Sequence, residues 1–221
     1  IIQNSRINLN KNTIPHAQLI VDENYSGGLI IALYISLILL KKMEALDKKL
    51  ASNEKISNLF QDPDLLFLIP LSEPKSTVNQ HFNDWISFIE SSPFGDYSDW
   101  LSTINYENAN GIISTESVNN LHKSLSLKSY QNENKICIIW ESSKLNDQAS
   151  NKLLKILEDP PKNTYFILTS NSENSILPTI RSGCQITKIP RITKTVLSSI
   201  LASVDCDKDE IDFISKKCDG N

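Results

Sequence analysis

The sequence is poor in the residues that usually announce a metal or disulfide chemistry. It has four cysteines, Cys137, Cys184, Cys206 and Cys218, and no two of them stand as C-x-x-C. A zinc knuckle and a disulfide framework are both unexpected, and a reducing cytoplasm is the expected location. No metal site is expected. His16, His81 and His122 are the three histidines, and none has a metal-ligating neighbour in sequence. Cys137 sits in an apolar run and reads as a small buried hydrophobe. Long apolar runs are missing too. The longest, residues 29–40 (LIIALYISLILL), is too short for a bilayer, which needs about 20 residues. It reads as a buried helix, and no membrane association is expected. Excess positive charge is also absent: 22 Lys and Arg face 26 Asp and Glu, a net charge of −4. Nucleic acid binding needs clustered cations, so any DNA contact should be local or made through an assembly. Internal repeats and low-complexity tracts are lacking. The first residue is Ile1, and the chain stops in mid-pattern at Gly220-Asn221, which reads as a piece of a longer protein.

Hydrophobic residues make up 40% of the chain, enough for a sizeable core. Five short runs stand out, at residues 17–21 (AQLIV), 65–69 (LLFLI), 136–140 (ICIIW), 165–169 (YFILT) and 185–189 (QITKI). The first four are almost continuously apolar, as strands buried on both faces of a parallel sheet are. The fifth alternates and suits an edge. Helices are expected between them at 29–50, 81–90, 115–127 and 146–158. Phe82, Trp85, Ile86 and Ile89 fall at helical spacing in the second. Ser114 or Thr115 can cap the third, with Glu116 at its positive end. Asn146 can cap the fourth, whose apolar face is Ala149, Leu153, Ile156 and Leu157, and Pro160-Pro161 stops it. Alternating strands and helices predict an α/β doubly wound parallel sheet with right-handed crossovers over residues 1–190. Residues 193–204 and 208–217 carry helical patterns without a further strand, so 191–221 reads as the start of a small helical domain.

The turn between the first run and the first helix is where a phosphate-binding loop would sit. A working loop reads G-x-x-x-x-G-K-[ST]. Its backbone N–H groups wrap the phosphates, its Lys neutralises them, and its hydroxyl binds magnesium. Here the turn is Asp22-Glu23-Asn24-Tyr25-Ser26-Gly27-Gly28-Leu29. Gly27 stands at the second signature glycine, Asp22 at the first, Gly28 at the Lys and Leu29 at the hydroxyl. The loop has lost its cation and gained carboxylates. Two like charges about 4 Å apart repel by roughly 4 kcal/mol at an effective dielectric of 20. The third run ends in Trp140-Glu141, so Trp140 occupies the place of the acidic metal ligand. Glu141 remains, but without metal or nucleotide it has nothing to activate. No bound cofactor and no ATP turnover of its own are expected.

From residue 14 to residue 189 the chain resembles the delta-prime family of bacterial DNA polymerase III clamp-loader subunits. The resemblance is carried by Ile14-Pro15-His16-Ala17, by Pro63-Asp64-Leu65, by the run 135–140, and above all by LNDQASNKLLKILEDPP with NTYFILTSNSENSILPTIRSGC across residues 145–184. It implies an AAA+ core of five strands in the order 5-1-4-3-2, followed by a helical lid and a collar, the collar lying outside this chain. It also implies assembly with motor (gamma/tau) and delta subunits, which load a sliding clamp onto primer-template DNA within the DNA polymerase III holoenzyme. Motor subunits resemble one another in keeping G-K-T and an acidic metal ligand, and this chain keeps neither. Two departures stand out. The family's S-R-C motif supplies an arginine finger to a neighbour's ATP, but here the triplet is Ser182-Gly183-Cys184, with Arg181 two residues away as a possible substitute. Residues 43–62 hold no cysteine, so the four-cysteine zinc module of many relatives is missing.

The remaining polar residues read as structural. His16 suits a strand entrance, His81 and His122 solvated helix faces, and Thr169 and Asn171 local hydrogen bonds. Lys123, Lys128 and Lys135 read as a solvated face. Two alternatives to an ATP-silent assembly subunit are an active P-loop NTPase, either a motor subunit or a nucleotide kinase, and an AAA+ scaffold repurposed as a binding module outside replication.

Overall fold

A computed structural model describes residues 14–23, 27–52, 54–73, 76–106 and 110–190. The helical segments expected at 193–204 and 208–217, and Tyr25 of the loop, lie outside the described residues.

The five runs form the strands β1 (Ala17–Val21), β2 (Leu65–Leu68), β3 (Lys135–Ile139), β4 (Thr164–Ser170) and β5 (Gln185–Lys188). They make one five-stranded parallel sheet in the order β2-β3-β4-β1-β5, which is the order the resemblance implied. The register sets Leu19 beside Leu168 and Ile138 beside Ile167. Strand periodicity divides the buried residues between two layers. Ile136, Ile138 and Trp140 face one layer, while Cys137 and Ile139 face the other. The alternating fifth run is an edge strand, as its pattern predicted.

Helices flank the sheet: α1 (Gly28–Leu39), α2 (Met43–Ala51), α3 (Phe82–Ser91), α4 (Tyr97–Thr103), α5 (Thr115–Ser126), α6 (Asp147–Glu158) and α7 (Pro178–Ser182). Helices α1, α3 and α4 cover the first layer, and α5, α6 and α7 the second. Asn146 and Ser114 cap α6 and α5 through side chains that accept from the N–H groups of Ala149 and Ser117. The single helix expected at 29–50 is in fact two. Lys41 takes a left-handed conformation (φ +58). Its N–H and that of Lys42 fold back onto the carbonyls of Ile38 and Leu37 at 3.0 and 2.8 Å, the hydrogen-bond pair that closes a helix C-terminus. Lys42 then pairs with the buried carboxylate of Asp62. Two short helices were not expected. Helix α4 is held by a capping box between Asp96 and Asp99, and α7 starts on Pro178.

The reading of Lys135 as solvated is overturned. Lys135 is buried at the foot of β3, where its ammonium donates to the carbonyls of Ser124 and Leu127 at 2.6 and 2.5 Å. It closes the negative end of α5. His16 is structural, as read, with Nε2 3.0 Å from the Leu157 carbonyl. His81 is half-buried and lies 3.4 Å from Asp84, not on an open face; His122 is exposed.

Asp64, fully buried just before β2, organises the turn into β3. Its carboxylate accepts from the backbone N–H groups of Tyr130, Gln131 and Asn132 at 2.7–2.8 Å. Burial pushes its pKa up, but those donors outweigh burial and hold it below the usual carboxylate range. Asp64→Ala strands three donors, and a loss of about 2–4 kcal/mol is expected in denaturant melts. The depressed pKa also means that this stabilisation is present above the unfolded-state pKa. It should be lost as pH falls through the native value, and the acid-unfolding limb of the variant should be flatter than the parent's.

Candidate functional site

The ends of β1, β3 and β4 converge on the start of α1, where open parallel sheets bind ligands. Gly27 begins α1 with φ +111, a conformation that costs any side chain dearly. A Cβ there would also come within 3.3 Å of the Phe94 ring. Asp22 follows β1, and its N–H extends the sheet by donating to the Ser170 carbonyl at 2.8 Å. The residue is only 7% exposed, and its carboxylate accepts the Gly28 N–H at 2.6 Å. A side chain on Gly28 would start 3.0 Å from both Cβ and Oδ2 of Asp22. The Asp22 carboxylate is thus a bonded part of the loop, beyond the repulsive bystander expected from sequence.

The other positions of a nucleotide site are taken up by packing. Leu29 is buried in the first core layer. Trp140 is buried in an aromatic cluster, its ring 5.1 Å from Trp85 and 5.6 Å from Phe88, with Trp100 5.2 Å from Trp85. Trp100 donates its indole N–H to the Pro70 carbonyl at 2.8 Å. Thr169 and Glu141 bond to each other: the Glu141 N–H donates to the Thr169 hydroxyl at 3.2 Å, and the Ser142 hydroxyl to the Thr169 carbonyl at 2.8 Å. These are the local bonds expected of Thr169. Between Asp22, Gly27, Gly28, Leu29, Trp140 and Glu141, with Phe94 at one wall, a cavity of about 20 Å³ remains. That is room for about one water molecule. The donor set does not fit a triphosphate and its magnesium: the lysine position is Gly28, the hydroxyl position Leu29 and the acidic metal-ligand position Trp140, and no chemical step runs through them.

Phe94 and Gly95, which complete the cavity wall, were not expected. They lie far from the loop in sequence, in an unpatterned turn between α3 and α4.

The second predicted site lies on α7 and the turn into β5, and none of its residues lines that cavity. Arg181 is held 3.7 Å from Glu173, which Lys188 also contacts at 2.7 Å. The Ser182 hydroxyl donates to the Thr179 carbonyl at 2.9 Å. Burial pushes the Cys184 thiol up to about 11, so it is a poor nucleophile at neutral pH. Gly183 has an ordinary backbone conformation (φ −84). A Cβ there would meet nothing closer than 3.6 Å, so glycine is not required by the backbone.

Comparison with known proteins bears on the family and the fold. The family model described as DNA polymerase III, delta subunit, matches residues 1–193. The chain belongs to that family. Curated relatives named DNA polymerase III subunit delta' include one from Haemophilus influenzae, 38% identical over 34% of this chain, and one from Buchnera aphidicola, 38% identical over 40% of it. The matched segments span about a quarter of those relatives, 23% and 26% of their lengths. Among solved structures, a gamma subunit-related protein of Thermotoga maritima superposes with a TM-score of 0.56 at 14% identity, covering 98% of this chain and 56% of that one. The RuvB branch migration motor of the same organism reaches 0.50 at 12% identity, covering 97% of this chain and 56% of that one. At these identities the structures support the AAA+ fold. Family membership rests on sequence.

Glu141 gives the site a pH signature. It is buried with φ +52. Burial raises its pKa from 4.5 to about 7; the Ser143 hydroxyl and Lys144 pull it down, and Asp22 and Asp96 push it up. Between pH 4.5 and about 7 the native chain keeps a proton that the unfolded chain has released, so stability falls as pH rises through that window. The penalty above it is on the order of 3 kcal/mol. Glu141→Gln should therefore be more stable than the parent at pH 8 and lose that advantage by pH 4.5, as read by urea melts across pH.

Proposed function

We propose that the protein is a non-catalytic, delta-prime-type subunit of the DNA polymerase III clamp loader. It assembles with motor (gamma/tau) and delta subunits in the cytoplasm to load a sliding clamp onto primer-template DNA. The observation that carries this reading is the nucleotide position closed by the chain's own groups. The family match and the delta-prime relatives support the setting. The AAA+ scaffold serves here as a rigid body between neighbours, and ATP chemistry belongs to the motor subunits.

Millimolar MgATP should leave the melting temperature unchanged within about 1 °C, and ATP turnover should be absent. Gly28→Lys alone should not restore binding, because the new side chain meets Asp22 while Leu29 and Trp140 stay buried. Seating of MgATP by the parent would favour the motor-subunit reading instead. The full-length protein should co-purify with motor and delta subunits and stimulate clamp loading; a different partner set would favour a binding module outside replication.

Arg181 lies 3.7 Å from Glu173, and in this reading it serves that ion pair and not as the missing arginine finger. Arg181→Ala should leave reconstituted clamp loading within about twofold, whereas removal of a working finger costs about 10³–10⁵ in rate. A drop of that size would assign Arg181 the trans-acting role.

A further inference from the structure

The start of α1 in a phosphate-binding loop is closed by ligand. Its backbone N–H groups point outward and the helix dipole favours negative charge there. In this chain the N–H at the lysine position, Gly28, already has an anionic partner. The Asp22 carboxylate accepts it at 2.6 Å from a buried position. Its backbone is fixed to β4 through Ser170. No acidic residue occupies the first turn of α1 itself, so the negative charge arrives from across the loop, as a phosphate's would. The cavity beside it is reduced to about 20 Å³.

We infer that Asp22 is a tethered stand-in for phosphate: its carboxylate occupies the anion position at the start of α1 and satisfies the Gly28 N–H without nucleotide. The chain is then permanently self-liganded, and more than the loss of Lys keeps nucleotide out. The packing at Gly28 belongs to the same arrangement. A side chain at residue 28 would start 3.0 Å from the Asp22 carboxylate, so the internal anion and the missing lysine are sterically linked. Removing Asp22 alone, with no lysine restored, should expose an anion site for inorganic phosphate or pyrophosphate.

The test uses the full-length protein, its Asp22→Gly variant and its Asp22→Asn variant, with inorganic pyrophosphate as the probe at constant ionic strength set with sodium chloride. Asp22→Gly should melt several degrees below the parent. Pyrophosphate at 10–50 mM (roughly the range that covers millimolar affinity) should return at least half of that loss, while raising the parent by less than about 1 °C. Asp22→Asn, which keeps an acceptor oxygen but not the charge, should fall between them. An Asp22→Gly variant that melts with the parent, or that gains no more from pyrophosphate than the parent does, overturns the inference. Should Asp22→Gly fail to fold, the parent and Asp22→Asn still decide it. The Gly28 amide proton should be shifted downfield and slow to exchange in the parent, and less so in Asp22→Asn. An amide that resonates and exchanges like a solvent-exposed one in the parent overturns the inference as well. The reading of the chain as nucleotide-silent fails separately, if the parent itself binds MgATP.

Discussion

A parallel α/β sheet gathers the positive ends of its helices along one edge, and each must be satisfied. At α1 that obligation is met by one short hydrogen bond, from the Gly28 N–H to the Asp22 carboxylate. The arrangement around it is mutually dependent. Asp22 can turn inward because residue 28 has no side chain. Gly27 provides the left-handed step that begins the helix. With the anion internal, the residues at the hydroxyl and metal-ligand positions of the motif pack inward. Leu29 joins the core, and Trp140 turns into the aromatic cluster with Trp85 and Phe88. Buried aromatic rings of this kind contribute large apolar area and an edge-to-face term of about 0.5–1.5 kcal/mol per pair. In the proposed reading, core has taken the place of an open polar site.

Glu141 shows the cost of that exchange. In a P-loop enzyme a carboxylate here would sit beside metal and water. In this chain it is buried, in a left-handed backbone conformation, with its pKa raised chiefly by burial. Its N–H still bonds Thr169, so β3 and β4 remain tied where a sensor residue would otherwise face phosphate. In the proposed reading, the demand that remains on this part of the fold is shape.

Much of the fold was legible because buried parallel strands are apolar on both faces, and four of the five runs carried that signature. The cap at Asn146 was legible for a local reason: its side chain bonds a backbone group three residues on. The break after α1 was not, because it depends on Lys41 adopting a left-handed conformation that lysine seldom takes. Lys135 misled for another reason. Its charge suggested solvent, but its stem lies in the core and its ammonium meets two helix-end carbonyls, partners set by tertiary packing. At the site, the departures from the phosphate-loop motif were readable from the residues alone. The direction of the Asp22 side chain was not, since the same residue facing solvent would have left the sequence unchanged. Phe94 was beyond reach for a similar reason: only the packing of α3 against α4 brings it over Gly27.

The two altered sites differ in kind, and the difference bears on how such a subunit works. At the loop, each lost group has been replaced by a packed or bonded one, so reversal by a single substitution meets steric opposition. The second site is open around Gly183. Gly183 is exposed, with an ordinary backbone and open space around it, and Arg181 and Lys188 share Glu173 at the surface. A group that must reach across an interface is lost by deleting its side chain, and the fold scarcely responds. A group that lines an internal pocket leaves unsatisfied backbone behind, and the fold has to supply a substitute. In the proposed reading the buried Asp22 carboxylate is that substitute, bonded to the Gly28 N–H, whereas the space around Gly183 is open.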